Sequence, residues 1–530
     1  MSEQQDYRQE AVFRPHSVAK GAGWLAAAHG ASFLIKLALI PVLTRLLAPE
    51  EFGIVAASMA LIMFIAILGG RGGLSAAVIV FHRDNPAAWR TAYSITLIIA
   101  GLCALIVIAL APAIASLIGL PQAVPYLRAV ALLTPIMLSA EFMSILLVAD
   151  NKYRTESQAG LAAETTAAVL AIIAAFLGAG AWALVLQHFL AQGIRFIVFT
   201  RATKLYPAIR PQLALIRPMV PYAVKSTGGE LVNFFAVQAP VLLVSRGLGA
   251  ASAGLYGVAN RLSSLPGDII LHSLARMLFP AFAELKSEEE RARAVVWSGT
   301  ANTFLLLPIL VGIAAVAGPL TKVILGWEFA PAAGILAGLA ISKAITAPCV
   351  GLYAFMRAVN RSGTLFWLLA ARAVFIIAGV VIGMAYGGLN GAAVGMAASS
   401  LPGLLATWLT VRSIVAFNWR DVLVPFTKIA ACGAVMFVAV SLYVPWAEGQ
   451  GAEGQTLHEV FVLASAIALG GAVYVSLLAG MFFPAVMAFI RKPDTEHSIK
   501  GMIIRLRRRI DRGRAAAGNA PTASTTGGQV

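Results

Sequence analysis

The chain has 530 residues, of which 59% are hydrophobic and only 12% are charged, and its mean hydropathy is +0.83. Soluble domains are usually about 45–50% apolar and about 25% charged, so this composition excludes an ordinary soluble protein and predicts an integral membrane protein. The formal net charge of +16 indicates, in such a protein, contact with the anionic inner face of a membrane and not with nucleic acid.

Membrane-length segments follow one another along almost the whole chain. A transmembrane helix needs about 20 predominantly apolar residues, and fourteen segments meet that requirement. They are 22–45, 53–70, 92–116, 127–149, 158–178, 181–200, 219–244, 253–281, 297–317, 331–356, 363–386, 390–411, 423–445 and 457–489. The predicted fold class is an all-α membrane protein with about 14 transmembrane helices.

Basic residues alternate between the connections of these segments. The interiors of the even-numbered connections hold sixteen lysines and arginines, whereas the odd-numbered ones hold only Arg246 and Lys322. Because basic loops stay on the cytoplasmic side, both termini are predicted to be cytoplasmic, in a multi-pass protein of a bacterial inner membrane.

The same topology divides the chain into parts. We expect a cytoplasmic N-terminus (1–21), a six-helix N-lobe (22–215), a six-helix C-lobe (216–415), helices 13 and 14 (416–490) and a basic cytoplasmic tail (491–530). Within the tail, residues 499–514 carry an apolar stripe on a basic background, which predicts a helix lying on the inner leaflet.

A short repeat marks the first turn of each lobe. The pattern Arg-x-Leu-x5-Gly at 45–53 recurs 201 residues later at 246–254, each time between two membrane-length segments. Six helices, an even number, separate the two copies, so the lobes are predicted to be parallel repeats related by an axis along the membrane normal. The two arginines lie at segment ends, where we expect them to secure helix ends.

Several ionisable residues fall inside apolar segments, where a charge costs roughly 2.5–3.5 kcal/mol on insertion scales. The candidates for a substrate cavity are Lys36, Lys225, Glu230, Arg261 and Arg276. Most of them are cationic, so a cavity lined by them would attract a substrate with several negative charges, such as a diphosphate. The alternative is snorkelling to the interface or an interhelical ion pair.

Motifs for catalysis and for cofactors are absent from the sequence. It contains no nucleotide-binding phosphate loop, no His-Glu-x-x-His and no Gly-x-Ser-x-Gly, and its three cysteines have no metal-ligand spacing. We therefore expect neither an enzyme nor a cofactor or metal.

Four stretches carry a family resemblance, and one of them, residues 73–77 (GLSAA), resembles a typical stretch of bacterial polysaccharide flippases. Residues 44–53 (TRLLAPEEFG) resemble the "ARLLSPEDFG" signature of bacterial polysaccharide flippases, residues 249–266 (GAASAGLYGVANRLSSLP) resemble their "GAAALGLYSLAYRLASLP", and residues 279–283 read FPAFA as they do. The chain is thereby similar to the Wzx-like branch of the multidrug/oligosaccharidyl-lipid/polysaccharide exporter superfamily.

The resemblance implies both a fold and a function. Members are two six-helix lobes around a central cavity, with helices 13 and 14 added. They move undecaprenyl-diphosphate-linked oligosaccharide from the cytoplasmic to the periplasmic leaflet for exopolysaccharide, capsule or lipopolysaccharide assembly. In relatives that flip lipid II, cationic residues of the first and eighth helices line the cavity, and Lys36, Arg261 and Arg276 occupy comparable places here. The implied partners are this lipid, membrane lipids and polymerase or export machinery.

Three alternatives remain open at the level of sequence. A drug/cation antiporter of the same fold would depend on intramembrane carboxylates, of which there are few. A membrane polysaccharide polymerase or ligase would need a sizeable periplasmic loop, and the odd-numbered connections are short. A purely structural subunit of an export complex would lack transport activity of its own.

Overall fold

The computed structural model describes residues 30–491 except 33, 36, 69–72, 83, 151, 284, 286, 360 and 451–455. All regular structure in this part of the chain is helical. The helices are α1 (30–46), α2 (Pro49–Leu68), α3 (Gly73–His82), α4 (Pro86–Leu117), α5 (Val124–Ala149), α6 (Tyr153–Phe176), α7 (Ala181–Thr203), α8 (Leu213–Ile216), α9 (Val220–Ala283), α10 (Glu288–Ala315), α11 (Ala317–Leu320), α12 (Ala332–Thr346), α13 (Cys349–Ala358), α14 (Ser362–Ile414), α15 (Trp419–Glu448) and α16 (Thr456–Arg491).

The helices confirm the predicted fold class. Each of the fourteen predicted segments overlaps a described helix. Within the described residues ten helices are long and apolar enough to cross a membrane, or eleven if α12 and α13, bent by 44°, form one span. Two of the ten, in α9 and α14, each cover two consecutive predicted segments without a gap. The predicted surface helix at 499–514 and the N-terminus 1–21 lie outside the described residues, and the lobe boundaries stay a prediction.

Glycines break the two longest helices where the sequence predicts a turn. In α9, Gly249 has φ 84° and ψ −179°, which separates a first limb (220–248) from a second limb (250–283). In α14, Gly388 has φ 55°. Positive φ strains residues with a Cβ but not glycine, so these positions allow the chain to reverse within two residues.

Several helices begin before the apolar segment that predicted them. Helix α2 begins at Pro49. Proline suits the first position of a helix, because the backbone N–H that it lacks would have no helical acceptor there. The Glu51 carboxylate accepts the Ala48 N–H at 2.9 Å. Helix α10 begins nine residues before predicted segment 297–317, because Ser287 and Glu290 form a reciprocal capping box. Capping signals are polar, so hydropathy alone places these helix starts too late.

The N-terminal half (α1–α7) and the C-terminal half (α9–α14) each have a core of their own. In the first, Trp89 packs edge-on against Phe142 with ring centroids 5.7 Å apart. In the second, Trp408 packs against Phe417 at 5.5 Å. A third cluster joins the halves through Ala57 and its buried neighbours of α2, α4 and α5, which meet Ala250 of α9.

The two repeats meet at their glycines. A Cβ on Gly53 would overlap the carbonyl oxygen of Ala250, and a Cβ on Gly254 would overlap the carbonyl oxygen of Pro49. Positions 49 and 250, like 53 and 254, are 201 residues apart, so the contact is reciprocal. This reciprocity agrees with the predicted parallel repeat, and it lets the backbones of α2 and α9 touch without side chains between them.

Candidate functional site

The repeated arginines bind across the junction of the halves. The Arg45 guanidinium donates to the Val323 carbonyl at 3.1 Å, and the Arg246 guanidinium donates to the Ser116 carbonyl at 3.1 Å. Each arginine therefore holds a carbonyl of the opposite half. We call these two contacts the arginine clamps.

Both clamps act on the carboxyl end of a helix. Ser116 lies in the last turn of α4, and Val323 lies in a π-helical turn, Thr321–Leu325, that follows α11. Three residues beyond each acceptor stands a glycine with positive φ, Gly119 at 74° and Gly326 at 93°. The Ser116 carbonyl also accepts the Gly119 N–H at 3.1 Å, and the carbonyls at the carboxyl end of a helix attract cations. The prediction that the arginines secure helix ends is confirmed, and the ends belong to the other half.

Removal of both clamps is expected to loosen this junction. Each exposed hydrogen bond contributes about 0.5–1.5 kcal/mol. In the R45A/R246A variant, we therefore expect the backbone amides of residues 45–57 and 246–258 to exchange with deuterium about tenfold faster. Arg128→Ala is the control, because Arg128 is exposed near the start of α5 and takes no part in either clamp. Unchanged exchange in the double variant would show that the clamps do not hold the halves together.

A cavity of about 320 Å³ lies between the halves. Helices α2, α5 and α7 of the N-terminal half and both limbs of α9 line it, and a smaller cavity of about 100 Å³ shares Arg261 and His188 with it. The side chain of Arg261 is exposed, and these cavities are the spaces that it lines. We call the larger one the Arg261 cavity. Its volume is at the lower end of the range of about 300–1,000 Å³ for small-molecule sites.

Helical periodicity brings a polar stripe to the cavity from α7. His188, Gln192 and Arg195 follow one another at spacings of four and three residues, which places them on one face. His188 and Gln192 line the cavity, and the Nδ1–H of His188 donates to the Leu184 carbonyl at 2.8 Å. His188 and Gln192 thus give the α7 side of the cavity a polar wall beside Arg261.

A partly buried ion pair stands behind that wall. Arg195 donates to the Glu164 carboxylate of α6 at 3.0 Å, with 29% and 12% of the two side chains exposed. Glu164 also attracts Arg261 electrostatically. Two cations, Arg195 and Arg261, thus act on one carboxylate, so Glu164 does not by itself neutralise both of them, which favours an anion beside Arg261.

Lys343 of α12 fixes the turn of α9 that carries Arg261. Its ammonium donates to the Asn260 carbonyl at 3.0 Å and to Asn260 Oδ1 at 2.9 Å. It also donates to the hydroxyls of Ser263 at 2.7 Å and Ser264 at 2.6 Å. The ammonium has three N–H donors, so these four acceptors share its three hydrogens. Together the contacts hold that turn in place, and Pro266, two residues after Ser264, lacks a helical donor.

The five predicted site residues have different outcomes. Arg261 lines the cavity. Lys225 and Glu230 are exposed on the first limb of α9 and are not among the residues that line the described cavities. Lys36 lies outside the described residues, and Arg276 belongs to α9 with a side chain outside what the structure describes. Substrate binding by all five stays a prediction.

The cavity is asymmetric although the fold repeats. The 201-residue offset pairs Met59 and Ala60 of α2 with Asn260 and Arg261 of α9, and all four line the cavity. The polar groups therefore stand on α9 and the apolar equivalents on α2. Sequence reasoning found Arg261 as a charge within the membrane but missed Asn260, Gln192 and Gln238, which are uncharged.

Metal and disulfide chemistry find no support in the described part of the chain. No group of three His, Cys, Asp or Glu side chains there could hold a metal ion. Cys103, Cys349 and Cys432 are free thiols. The polar side chains that line the cavity carry a guanidinium, carboxamides, an imidazole and the Tyr256 phenol, which bind by charge and hydrogen bonding.

Comparison with known proteins connects this geometry to a family. The family described as "Polysaccharide biosynthesis protein" matches residues 42–334. The succinoglycan biosynthesis transport protein ExoT of Rhizobium meliloti (strain 1021) is 32% identical over 379 residues, covering 71% of this chain and 76% of that protein. The lipopolysaccharide biosynthesis protein WzxC of Escherichia coli (strain K12) is 20% identical over 412 residues, 76% of this chain and 82% of that one.

A solved structure shows the same fold. The lipid II flippase MurJ, in an inward closed conformation, aligns with a TM-score of 0.69 over 87% of this chain and 99% of its own length, at 13% identity. At this identity the match speaks for the arrangement of helices alone.

Proposed function

Because this chain belongs to the polysaccharide biosynthesis protein family, we propose that it transports a lipid-linked oligosaccharide across its membrane for polysaccharide assembly. It is a multi-pass membrane transporter and not an enzyme, as its relatives' names and its apolar helices indicate. The carrier lipid in this proposal is undecaprenyl diphosphate, and the membrane is a bacterial inner membrane with both termini in the cytoplasm.

One observation carries the proposal: an arginine within the membrane-spanning region faces a cavity between the halves. In the part of the chain that the structure describes, the Arg261 guanidinium makes no hydrogen bond, so its five N–H donors are available to a ligand. A guanidinium recognises phosphate through two parallel hydrogen bonds. A diphosphate headgroup supplies the matching charge.

Transport by alternating access would use the two repeats as moving parts. In this conformation the halves are held at the turn that contains the arginine clamps and the Gly53–Gly254 contact. The basic connections predict that this turn is periplasmic. Rocking would break the clamps and open the Arg261 cavity to that side, while the lipid tail stays in the bilayer.

The antiporter alternative is less consistent with the site. A proton- or cation-coupled drug exporter would use an acidic cavity, whereas the residues that line this cavity include no carboxylate, and Glu164, which attracts Arg261, is paired with Arg195. The cavity's charged side chain is cationic, which disfavours a cationic drug. An acidic substrate remains the better match.

Deletion of the gene in its bacterium tests the proposal. We expect lipid-linked oligosaccharide to accumulate in the inner leaflet and the polysaccharide to disappear, with both effects reversed by the wild-type gene. The measurement is the fraction of the lipid that an added, membrane-impermeant glycosidase can cleave in spheroplasts. Normal periplasmic exposure of the lipid in the deletion strain would contradict the proposal.

A further inference from the structure

Four side chains of the Arg261 cavity have unused hydrogen-bonding capacity. Besides Arg261, the carboxamides of Gln192 and Gln238 line the cavity and make no hydrogen bond within the described residues. Asn260 also lines it, and its Oδ1 is occupied by Lys343. Arg261 is exposed and the three carboxamides are partly exposed, so these groups are accessible from the cavity and can exchange water for the polar groups of a ligand.

The contact with Lys343 determines what Asn260 offers. An ammonium can only donate, so the atom that it holds at 2.9 Å must be the carboxamide oxygen. The Nδ2 amino group is then left as a donor to the cavity, and the contacts of Lys343 with Asn260, Ser263 and Ser264 keep it there. Asn260 is the residue next to Arg261, so a ligand held by Arg261 comes within reach of this donor.

The chemistry of these groups indicates a sugar. Each free glutamine carboxamide presents both donors and an acceptor, which matches hydroxyl groups, since a hydroxyl both donates and accepts. Gln192 approaches from α7 and Gln238 from the first limb of α9, so the two halves contribute one carboxamide each. None of these carboxamides carries charge, so they match a ring with hydroxyls better than a ring with a carboxylate.

We propose that Gln192, Gln238 and Asn260 form a subsite for the neutral sugar joined directly to the diphosphate that Arg261 binds. The inference rests on the proposed function and adds which part of the substrate the cavity recognises. A volume of about 320 Å³ is too small for a whole oligosaccharide with its carrier. The subsite therefore selects the first sugar and leaves the rest of the repeat unit outside.

The test compares two fluorescent lipids in proteoliposomes: a polyprenyl diphosphate bearing one neutral hexose, and the same diphosphate without sugar. For the Q192L/Q238L variant we expect the flipping rate of the hexose lipid to fall roughly tenfold and that of the bare lipid to stay unchanged. Gln187→Leu is the matched control, since Gln187 lies on α7 but does not line the cavity. Gln238→Asn keeps the carboxamide on a side chain that is one methylene shorter, and it should slow the flipping of the hexose lipid alone.

Three results would overturn the subsite. One is an equal loss for both lipids in folded Q192L/Q238L and Gln238→Asn protein, which would indicate a general effect on the cavity. Another is no loss for either lipid in these variants. In both cases the proposed function would stand. Failure of the wild type to move either lipid would instead contradict the proposed function and the subsite with it.

Discussion

Replacement of Arg261 by glutamine is expected to reduce transport of a lipid-linked oligosaccharide by roughly ten- to a hundredfold. The variant loses the positive charge and the paired donors that hold a diphosphate, while a polar side chain of similar length still fills the space. The rate of flipping in proteoliposomes measures the effect, and elution from a sizing column shows that the protein remains folded.

Two further variants separate charge from geometry at this position. Arg261→Lys keeps the charge but not the planar fork, so its rate should lie between wild type and R261Q. Arg128→Gln removes an exposed arginine outside the cavity and should leave the rate unchanged. Transport at the wild-type rate by folded R261Q would rule out Arg261 as the diphosphate-binding group.

Gly254→Ala is expected to separate the halves at their tightest point. The new methyl group would overlap the backbone carbonyl of Pro49, and a backbone atom can move only with its helix. Overpacking of this kind costs about 1–3 kcal/mol, although alanine otherwise favours a helix over glycine by about 1 kcal/mol. Thermal unfolding in detergent should show a lower midpoint, and flipping should slow because this contact cannot re-form.

The matched control for that prediction is Gly101→Ala in α4. A Cβ at Gly101 meets nothing within 4 Å, so only the gain in helix propensity remains and the midpoint should stay equal or rise. If G254A and G101A had the same midpoint and the same rate, the Gly53–Gly254 contact would not constrain the halves.

The helices were predictable because lipid imposes a length and a composition on them. Segment 297–317 identified α10, for example, and only its start was missed, because Ser287 and Glu290 lie in the polar flank where hydropathy carries no signal. The break at Gly249 was predictable because the repeated pattern Arg-x-Leu-x5-Gly at 246–254 interrupts a long apolar run. Hydrophobic composition alone would leave that run continuous.

The site was predictable only where it carries charge. Arg261 was identified because a cation inside an apolar segment is costly and needs a reason. Gln192 and Gln238 are uncharged and 46 residues apart in sequence, so their convergence on one cavity depends on how α7 and α9 pack. The arginine clamps illustrate the same limit, because the sequence predicts that Arg45 secures a helix end but not that the end belongs to the other half.

We propose that this chain alone moves a lipid-linked oligosaccharide between leaflets. The most direct test is purified protein in liposomes that contain a fluorescent undecaprenyl-diphosphate-linked oligosaccharide, with the outer-leaflet fraction followed over time by a membrane-impermeant quencher. We predict that quenching of the inner-leaflet pool proceeds with wild-type protein and is strongly slowed with R261Q. An inner-leaflet pool that stays protected with folded wild-type protein, as in protein-free liposomes, would contradict transport by this chain alone.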